Sequence, residues 1–328
     1  MIAVIIPSRN RAGLLFSALE SLRAQHIPSE KFEILVIDNG STDHTAVMVK
    51  ELTETLVNLR YYHEPEPGLH AGRHRGMMEA KGNILVFADD DIEALPTWLA
   101  TIQTAFEDPE CAMVGGNNLP MFLEAPPAWL KELWNRPFHL GGRALSALSI
   151  LDLSGPSRRI SPYYVWGCNF AIRKDVLLKA GGFHPDGMPK ELIRFRGDGE
   201  THVSRFVAES GMTCRFHPGA SVYHKVTPER MTVAYFRQRG FNQGVSDSYT
   251  ALRGDTVQTA RTRSLPYRVA RWGWGRFQSV LSSLQTSSET ASALKALKTG
   301  HREGYAFHQE AYRTDREVRA WVHRERYF

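Results

Sequence analysis

Cysteine is scarce in this sequence, and the cysteines present lack the spacing of a zinc finger or a disulfide framework. Cys111, Cys168 and Cys214 lie far apart among 328 residues, and no CxxC pair occurs. An odd number of isolated cysteines favours a reducing compartment over an oxidising one. We therefore predict that all three are buried core residues.

Long apolar runs are also missing. No stretch approaches 18 consecutive apolar residues, and no basic residues precede the short apolar run at 2–6 as they would in a signal peptide. These absences predict a cytoplasmic chain that does not span a membrane. The hydrophobic fraction of 42% still allows a sizeable core, which excludes intrinsic disorder as the main state, and the length suggests about two domains.

Charge is unevenly distributed along the chain. The formal net charge is +5, but residues 1–230 carry 24 Lys and Arg against 27 Asp and Glu, whereas residues 231–328 carry 16 against 8. The sequence therefore predicts a slightly acidic body followed by a basic region. Any affinity for an anionic surface is expected in that basic region.

Apolar runs alternate with helical periodicity over the first 90 residues. The order predicts an α/β fold in which helices flank a mostly parallel sheet, with further helices beyond about residue 230. Ligands of such sheets bind beyond the carboxyl ends of the strands, so the loops there should meet at one edge. Strands are predicted at 2–6, 33–37 and 84–87, and the loops that follow them are 7–11, 38–43 and 89–91.

Acidic residues follow two of these strands. Asp89, Asp90 and Asp91 would repel one another unless a divalent cation or hydroxyl donors offset their charge, and Mg²⁺ combines carboxylates with substrate phosphates. The alternative is a solvated turn, or an N-cap for a helix beginning at Ile92. Asp38 either accepts a hydrogen bond from a nucleotide base or forms an ordinary Asx turn.

Six short segments, taken in order along residues 1–240, resemble the family 2 glycosyltransferases, which have the GT-A fold. One such segment would be a weak signal, whereas six in order with matching spacing are specific. The segments are VIIPSRNR (4–11), VIDNGSTD (36–43), EPGLHAGRHRG (66–76), LVFADDD (85–91), GCNFAIRKDVLLKAGGF (167–183) and HKVTPERMT (224–232).

The resemblance implies an inverting transfer of a sugar from a nucleotide-diphosphate sugar to an acceptor hydroxyl, assisted by Mg²⁺ or Mn²⁺. A cation and an arginine would stabilise the charge that develops on the leaving phosphate. The usual donor of the family is a UDP-sugar, with GDP and dTDP open, and the acceptor is a polysaccharide, glycolipid or other glycoconjugate. The donor-binding positions that match the family are Pro7, Ser8, Arg9, Arg11, Asp38, Arg73, Asp89 and Asp90.

The same resemblance implies a metal site and a surface for the transferred sugar. Asp91 matches the metal-ligand position, and His224 matches a histidine that completes the metal site in some members. Trp166, Gly167 and Asn169 lie in the segment that usually faces donor sugar and acceptor. The alternatives are a satisfied or surface histidine at 224 and a core tryptophan at 166.

The catalytic base is the point where the sequence departs from the family. The family carries an acidic pair at the start of the helix that follows the GGF segment, whereas this chain has Asp198, Gly199 and Glu200. Counting back from Gly211 places the base on Glu200, with Asp198 as the second choice. The alternative is that both acids only cap the helix and interact with its dipole.

The last quarter of the chain contains a basic, aromatic segment at 261–280. It carries five arginines and no acid, interleaved with four aromatic residues. This pattern suits a helix on an anionic membrane, which would bring the enzyme to a lipid-linked acceptor. The alternatives are a helical cap, an oligomer contact or another partner; no motif for nucleic-acid binding accompanies the segment.

We therefore predict a catalytic GT-A domain at 1–235, divided into a nucleotide-binding half at 1–115 and an acceptor-side half at 116–235, followed by a helical region at 236–328. Two other functions remain open. A nucleotidyltransferase would share the fold and the acidic site but would grip phosphate with a Gly-rich loop in place of residues 7–11. A non-catalytic nucleotide-sugar-binding protein would explain the missing acidic pair at Gly199.

Overall fold

The computed structural model describes residues 1–257 and 286–328, which form strands β1–β13 and helices α1–α10. The strands are β1 Ile2–Ser8, β2 Phe32–Asp38, β3 Leu59–His63, β4 Ile84–Ala88, β5 Ile92–Ala94, β6 Cys111–Gly115, β7 Asn118–Phe122, β8 Arg143–Leu145, β9 Ile150–Asp152, β10 Arg158–Arg159, β11 Asn169–Arg173, β12 Thr213–Phe216 and β13 Val222–Val226. The helices are α1 Ala12–Arg23, α2 Thr45–Thr53, α3 Leu69–Glu79, α4 Trp98–Ala105, α5 Ala128–Trp134, α6 Lys174–Ala180, α7 Glu200–Glu209, α8 Val233–Val257, α9 Ser288–Thr314 and α10 Arg316–Val322.

The main sheet has the strand order β10-β12-β6-β11-β4-β1-β2-β3, and β1 runs parallel to both β2 and β4. Every residue of β1 and β2 is buried, as expected for central parallel strands covered on both faces. The α/β fold and the three predicted strands are confirmed. Because Ser8 pairs with Asp38 and Ile5 with Phe87, the loops after these strands lie at one edge of the sheet.

A second sheet has the order β5-β13-β7-β9-β8, and its strand β5 follows the acidic loop directly. The residues after Asp91 form β5, which pairs antiparallel with β13 so that Ile92 lies opposite His224. The alternative that Asp91 caps a helix is therefore wrong. The strand pairing instead brings His224 beside the acidic loop.

Helices α8 and α9 lie against the body side by side, running in the same direction. Glycines on both helices allow the backbones to touch: a Cβ on Gly240 would lie 2.0 Å from the Leu297 carbonyl oxygen, and one on Gly300 would lie 2.0 Å from that of Arg237. The predicted helices after residue 230 are thus present, whereas the basic segment 261–280 lies outside the described residues.

Three further expectations concern the cysteines, membrane-spanning helices and the domain boundary. Cys111, Cys168 and Cys214 are free and buried, as predicted. In the described parts of the chain, no helix combines the length and the hydropathy needed to cross a bilayer. The proposed boundary between a catalytic domain and a helical region near residue 235 stays a prediction.

Candidate functional site

The loops after β1 and β4 are joined by hydrogen bonds and ion pairs. The Ser8 hydroxyl donates to Asp90 Oδ2 over 2.7 Å, and Arg11 donates to Asp90 Oδ1 over 2.5 Å and to Asp91 Oδ2 over 2.9 Å. Burial raises the pKa of Asp90 to about 7 even though the Arg11 charge opposes this shift. The first predicted donor segment therefore contacts the predicted acidic cluster directly.

Asp91 is held from the opposite side by two residues of the segment that begins at β13. Arg230 Nη1 lies 3.1 Å from Asp91 Oδ2, and His224 Nε2 lies 3.2 Å from Asp91 Oδ1. Burial works against the ionised form, but His224 and the charges of Arg11 and Arg230 outweigh it and hold the pKa of Asp91 below its usual range. We call Arg11, Asp90, Asp91, His224 and Arg230 the donor-side cluster.

Arg230 is a residue that the sequence reasoning did not single out. It lies in the short helical turn Pro228–Met231, and it also donates to the Leu148 carbonyl over 3.1 Å. The HKVTPER segment that drew attention to His224 contains it, so the signal was present. Nothing in the local sequence, however, indicates that its side chain turns back to Asp91.

The donor-side cluster contains groups that fit a divalent cation. Asp91 Oδ1 is buried and has only the 3.2 Å ion-pair approach of His224, without the geometry of a hydrogen bond. Among the described residues, Asp89, Cys168 and His224 offer ligand atoms that all lie within 4.8 Å of one another. Carboxylate and imidazole are ordinary ligands of Mn²⁺ and related ions. The structure thus places Asp89 and Cys168 beside the predicted ligands Asp91 and His224.

A buried arginine, Arg73 on α3, links the acidic loop to Asp186 and Glu200. We call the region around these residues the cleft. Its Nη1 lies 3.1 Å from Asp186 Oδ2 and 3.6 Å from Glu200 Oε2, and its Nη2 lies 3.7 Å from Asp89 Oδ1. Burial opposes the charge of Arg73, but these carboxylates outweigh burial and raise its pKa. Burial in turn raises the pKa of Asp186 to about 6, against the Arg73 charge.

Gly167 lies against this arginine. A Cβ at position 167 would lie 2.3 Å from Arg73 Nη2, so only glycine lets the guanidinium reach its place between Asp89 and Asp186. The Gly167 amide also points to Glu200, whose Oε1 lies 3.4 Å away. Gly167 therefore belongs to the cleft through its lack of a side chain.

Asp198 and Glu200, the two candidate bases, have opposite surroundings. Asp198 is buried and accepts hydrogen bonds from His184 over 2.6 Å, Arg205 over 3.0 Å and Thr250 over 2.8 Å. Burial disfavours its charge, but His184 and Arg205 outweigh burial and lower its pKa. Glu200 keeps 30% of its side chain exposed and, among the described residues, has only the long contacts to Arg73 and Gly167. We call Asp198 with its three partners the base-side network.

The replacement of the family's acidic residue by Gly199 has a local explanation. Gly199 has φ 54° and ψ −126°, a conformation that residues with a side chain avoid. A Cβ there would also lie 2.9 Å from Asp186 Oδ2. The turn that directs Asp198 inward and Glu200 outward therefore requires glycine at this position.

The Asp38 carboxylate forms local hydrogen bonds in the turn after β2, and its contact with a nucleotide base stays a prediction. Its Oδ1 accepts from the Ser41 amide over 2.7 Å, and its Oδ2 accepts from the Tyr61 hydroxyl over 2.7 Å. Burial and the hydrogen bond to Asp38 raise the pKa of Tyr61 to about 12. Asp38 lies at the predicted edge, with Pro7 buried and Arg9 exposed on the neighbouring loop.

Two of the predicted sugar-facing residues, Asn169 and Trp166, form hydrogen bonds within the protein. The Asn169 amide is buried, donates to the Ala220 carbonyl over 2.9 Å and accepts from Trp98 Nε1 over 2.9 Å. Trp166 is half-buried, packs against apolar core residues and donates to the Tyr163 carbonyl over 3.2 Å. Asn169 therefore connects β11 to α4 and to the turn before β13, and its amide is used inside the protein.

The chain is similar in sequence to known proteins. Residues 3–178 match the profile described as Glycosyl transferase family 2. The glycosyltransferase AglE of Haloferax volcanii is 33% identical over 117 residues, which cover 35% of this chain but only 38% of that relative. A glucosyl-dolichyl phosphate glucuronosyltransferase of the same organism is 22% identical over 247 residues and is matched over 75% of both chains.

Among solved structures, a mannosyltransferase from Pyrobaculum calidifontis, in complex with GDP-mannose and Mn²⁺, has a similar fold. The TM-score is 0.56 at 19% sequence identity, and the match covers 99% of this chain and 83% of that one. This likeness concerns the fold and extends through the carboxy-terminal helices.

Proposed function

Because the chain belongs to glycosyl transferase family 2, we propose that it transfers a sugar from a nucleotide-diphosphate sugar to an acceptor hydroxyl with inversion at the anomeric carbon. One observation carries the proposal: the buried Arg73 lies between Asp89 of the acidic loop and the accessible Glu200, within 4 Å of both carboxylates. A cation-assisted leaving group and a carboxylate base need these groups on opposite sides of a sugar.

The nucleotide is proposed to bind along the loops after β1 and β2. Residues Pro7–Arg11 and the turn at Asp38 would line the base and ribose, with Asp89 and Asp90 on the ribose side. Arg11 and Arg230 already hold carboxylate oxygens, which resemble phosphate oxygens in charge and geometry. A bound diphosphate would therefore compete for the same two guanidinium groups.

Mg²⁺ or Mn²⁺ fits the residues present. Asp91 and His224 would hold the ion, with Asp89 next to them, and the ion would supply positive charge to the leaving phosphate. Arg73 adds a fixed positive charge on the other side of Asp89. Its burial keeps this charge at one position while negative charge develops on the donor.

Glu200 is proposed as the base that removes the proton of the acceptor hydroxyl. Its carboxylate is accessible and its hydrogen bonds are long, so an acceptor can approach it. Asp198 is proposed to act as a positioning residue, because its three partners use its carboxylate inside the protein. Asp198 fixes the start of α7, and this start carries Glu200.

A lipid-linked acceptor is the finer proposal for the substrate. The relative matched over 75% of both chains is named for a reaction on a glucosyl-dolichyl phosphate. Segment 261–280, outside the described residues, combines five arginines with four aromatic residues, which suits peripheral contact with an anionic membrane at the cytoplasmic face.

Thermal-shift measurements with UDP-, GDP- and dTDP-sugars, with and without Mn²⁺, followed by turnover assays, test the function. We expect one donor to raise the melting temperature in a Mn²⁺-dependent way, because a ligand that binds only the folded state stabilises it. Asp91→Asn should abolish both the shift and turnover, whereas Asp175→Asn, on the exposed surface of α6, should preserve both.

Three results would contradict the proposal. Retained turnover in Asp91→Asn would remove the metal assignment. Donor binding without hydrolysis or transfer by the wild type would indicate a non-catalytic binding protein. Release of pyrophosphate from a nucleoside triphosphate and a sugar phosphate would indicate a nucleotidyltransferase.

A further inference from the structure

A thiol lies among the carboxylates of the cleft. Cys168 immediately precedes β11, whose first residue Asn169 pairs with Ala88, so the strand register brings Cys168 beside Asp89. The second sheet brings His224 to the same place by pairing it with Ile92. The ligand atoms of Asp89, Cys168 and His224 lie within 4.8 Å of one another, although the three residues are distant in sequence.

The Cys168 thiol has few polar contacts with the described residues. Among the described residues, its one hydrogen bond is a 3.9 Å contact from Sγ to the Ser149 carbonyl, and 2% of the residue is exposed. Cys111 and Cys214 are equally buried, but neither belongs to a group of metal-ligating side chains in the described residues. The position of Cys168 therefore differs from that of an ordinary core cysteine.

The potential at this sulfur favours a cation. The Asp89 carboxylate lies within 4.8 Å of the sulfur, and the Asp91 carboxylate contacts His224, the third member of the group. The same carboxylates attract a metal ion, and the ion would take the place of the thiol proton. Asp91 Oδ1, a buried acceptor without a hydrogen bond, lies 3.2 Å from His224 Nε2.

The donor set of one sulfur, one nitrogen and one oxygen is typical of zinc. Mg²⁺ prefers oxygen ligands, whereas Zn²⁺ binds thiolate, imidazole and carboxylate in a tetrahedron with bonds of about 2.0–2.3 Å. Atoms that lie up to 4.8 Å apart need only a small closure to reach this geometry. Asp89, with 32% of its side chain exposed, provides the path from solvent.

We propose that Asp89, Cys168 and His224 form a Zn²⁺ site and that its occupancy blocks the donor site. When Zn²⁺ binds, a Zn–S bond replaces the S–H bond of Cys168 and the proton leaves to solvent. Zinc binding itself is independent of the proposed function. The block rests on the proposed function, because it uses Asp89 and His224, which the donor and its ion would also need.

The test uses the full chain and metal ions alone. Titration of the wild type with Cd²⁺, a spectroscopic substitute for Zn²⁺, should produce a thiolate-to-metal charge-transfer band with a stoichiometry of one and release a proton. Cys168→Ser should lose the band and bind Zn²⁺ at least about tenfold more weakly in competition with a chromophoric chelator, because changes to outer-shell groups alone cost that much. Cys111→Ser and Cys214→Ser, at buried cysteines outside the cluster, should keep both.

Several results overturn the proposal. A wild type that gives no band excludes the site without any variant, and a band that persists in Cys168→Ser assigns it to another thiol. If Cys168→Ser fails to fold, Asp89→Asn at the exposed edge should weaken Zn²⁺ by a similar factor, and unchanged affinity there rejects the site. Zinc that binds at Cys168 but does not inhibit donor turnover removes the proposed block and leaves the metal site.

Discussion

The donor-side cluster and the base-side network both place an aspartate among cations, but they use it differently. In the donor-side cluster, Asp91 is buried but retains a carboxylate oxygen without a hydrogen bond. In the base-side network, Asp198 is enclosed by His184, Arg205 and Thr250, and the accessible carboxylate belongs to Glu200. On the donor side, one aspartate both joins buried ion pairs and keeps an oxygen without a hydrogen bond. On the base side these two features are divided, because Asp198 is enclosed and Glu200 is accessible.

The largest expected effect separates the two candidate bases. Glu200→Gln should reduce turnover by about 10²–10⁴-fold, because it removes the base while keeping the size of the side chain. The melting temperature should change little, since Glu200 has only long contacts. The control is Glu209→Gln at the exposed end of the same helix, and steady-state kinetics measure both.

If Glu200→Gln retains turnover, the base is another residue and the contrast between Glu200 and Asp198 loses its functional meaning. A loss of turnover in Glu209→Gln of similar size would instead indicate a general effect on α7.

The second effect concerns stability. Asp198→Ala should lower the free energy of unfolding by about 3–5 kcal/mol, because it leaves His184 and Arg205 without a buried partner. Thr250→Val removes one neutral donor and should cost about 1 kcal/mol. Urea denaturation measures both, and the exposed Asp175→Ala should stay within about 0.5 kcal/mol of the wild type.

An Asp198→Ala variant as stable as the Asp175→Ala control would mean that the base-side network does not hold the start of α7. In that case Asp198 would return as a candidate base, and its turnover would have to be compared with that of Glu200→Gln.

A smaller effect on stability and donor binding is expected at Gly167, which lies against Arg73 between the donor side and the base side. Gly167→Ala should displace Arg73, because the new methyl group would lie 2.3 Å from its guanidinium. We expect destabilisation of about 1–3 kcal/mol, typical of overpacking, together with weaker donor binding by calorimetry. Gly13→Ala, where nothing lies within 4 Å, should be neutral or stabilising. Unchanged donor affinity in Gly167→Ala would separate Arg73 from donor binding.

The smallest effect is a difference in pH dependence. Burial lowers the pKa of His202, on α7 near Asp198, to about 4, so the folded state resists its protonation and stability falls as pH decreases from about 6.5. Burial raises the pKa of Asp90 to about 7, so the folded state holds a proton that the unfolded state has lost, and stability rises as pH decreases from 7 towards 4.

Urea midpoints between pH 7.5 and 5 test these opposite signs. His202→Gln should make the loss of stability on acidification shallower, and Asp90→Asn should make it steeper, each by an amount on the order of 1 kcal/mol. His63→Gln, at an exposed position, is the control and should leave the curve unchanged. Slopes that change in the same direction in both variants would contradict the contrast between the two sides.

Much of the fold and part of the site follow from local sequence. The β-branched apolar runs predict β1, β2 and β4 because central parallel strands are buried on both faces, and loops after such strands must meet at one edge. Asp38, Asp89, Asp90 and Asp91 were therefore identified by position alone. Two of their neighbours, Arg230 and Cys168, were not, because they reach these aspartates through β13 and β11 from distant parts of the chain.

The sequence by itself determined the parallel sheet and the acidic edge, because both depend on patterns within a few residues. The family resemblance added the two candidate carboxylates next to the start of α7. Only the tertiary structure distinguished the surroundings of Asp198 and Glu200, since the partners that bury Asp198 include Thr250, 52 residues away on α8. It also brought the Asn169 amide against Trp98 and Ala220, and Cys168 into a group of potential ligand atoms. Such roles depend on which groups surround a side chain, and burial is set by the packing of the whole chain.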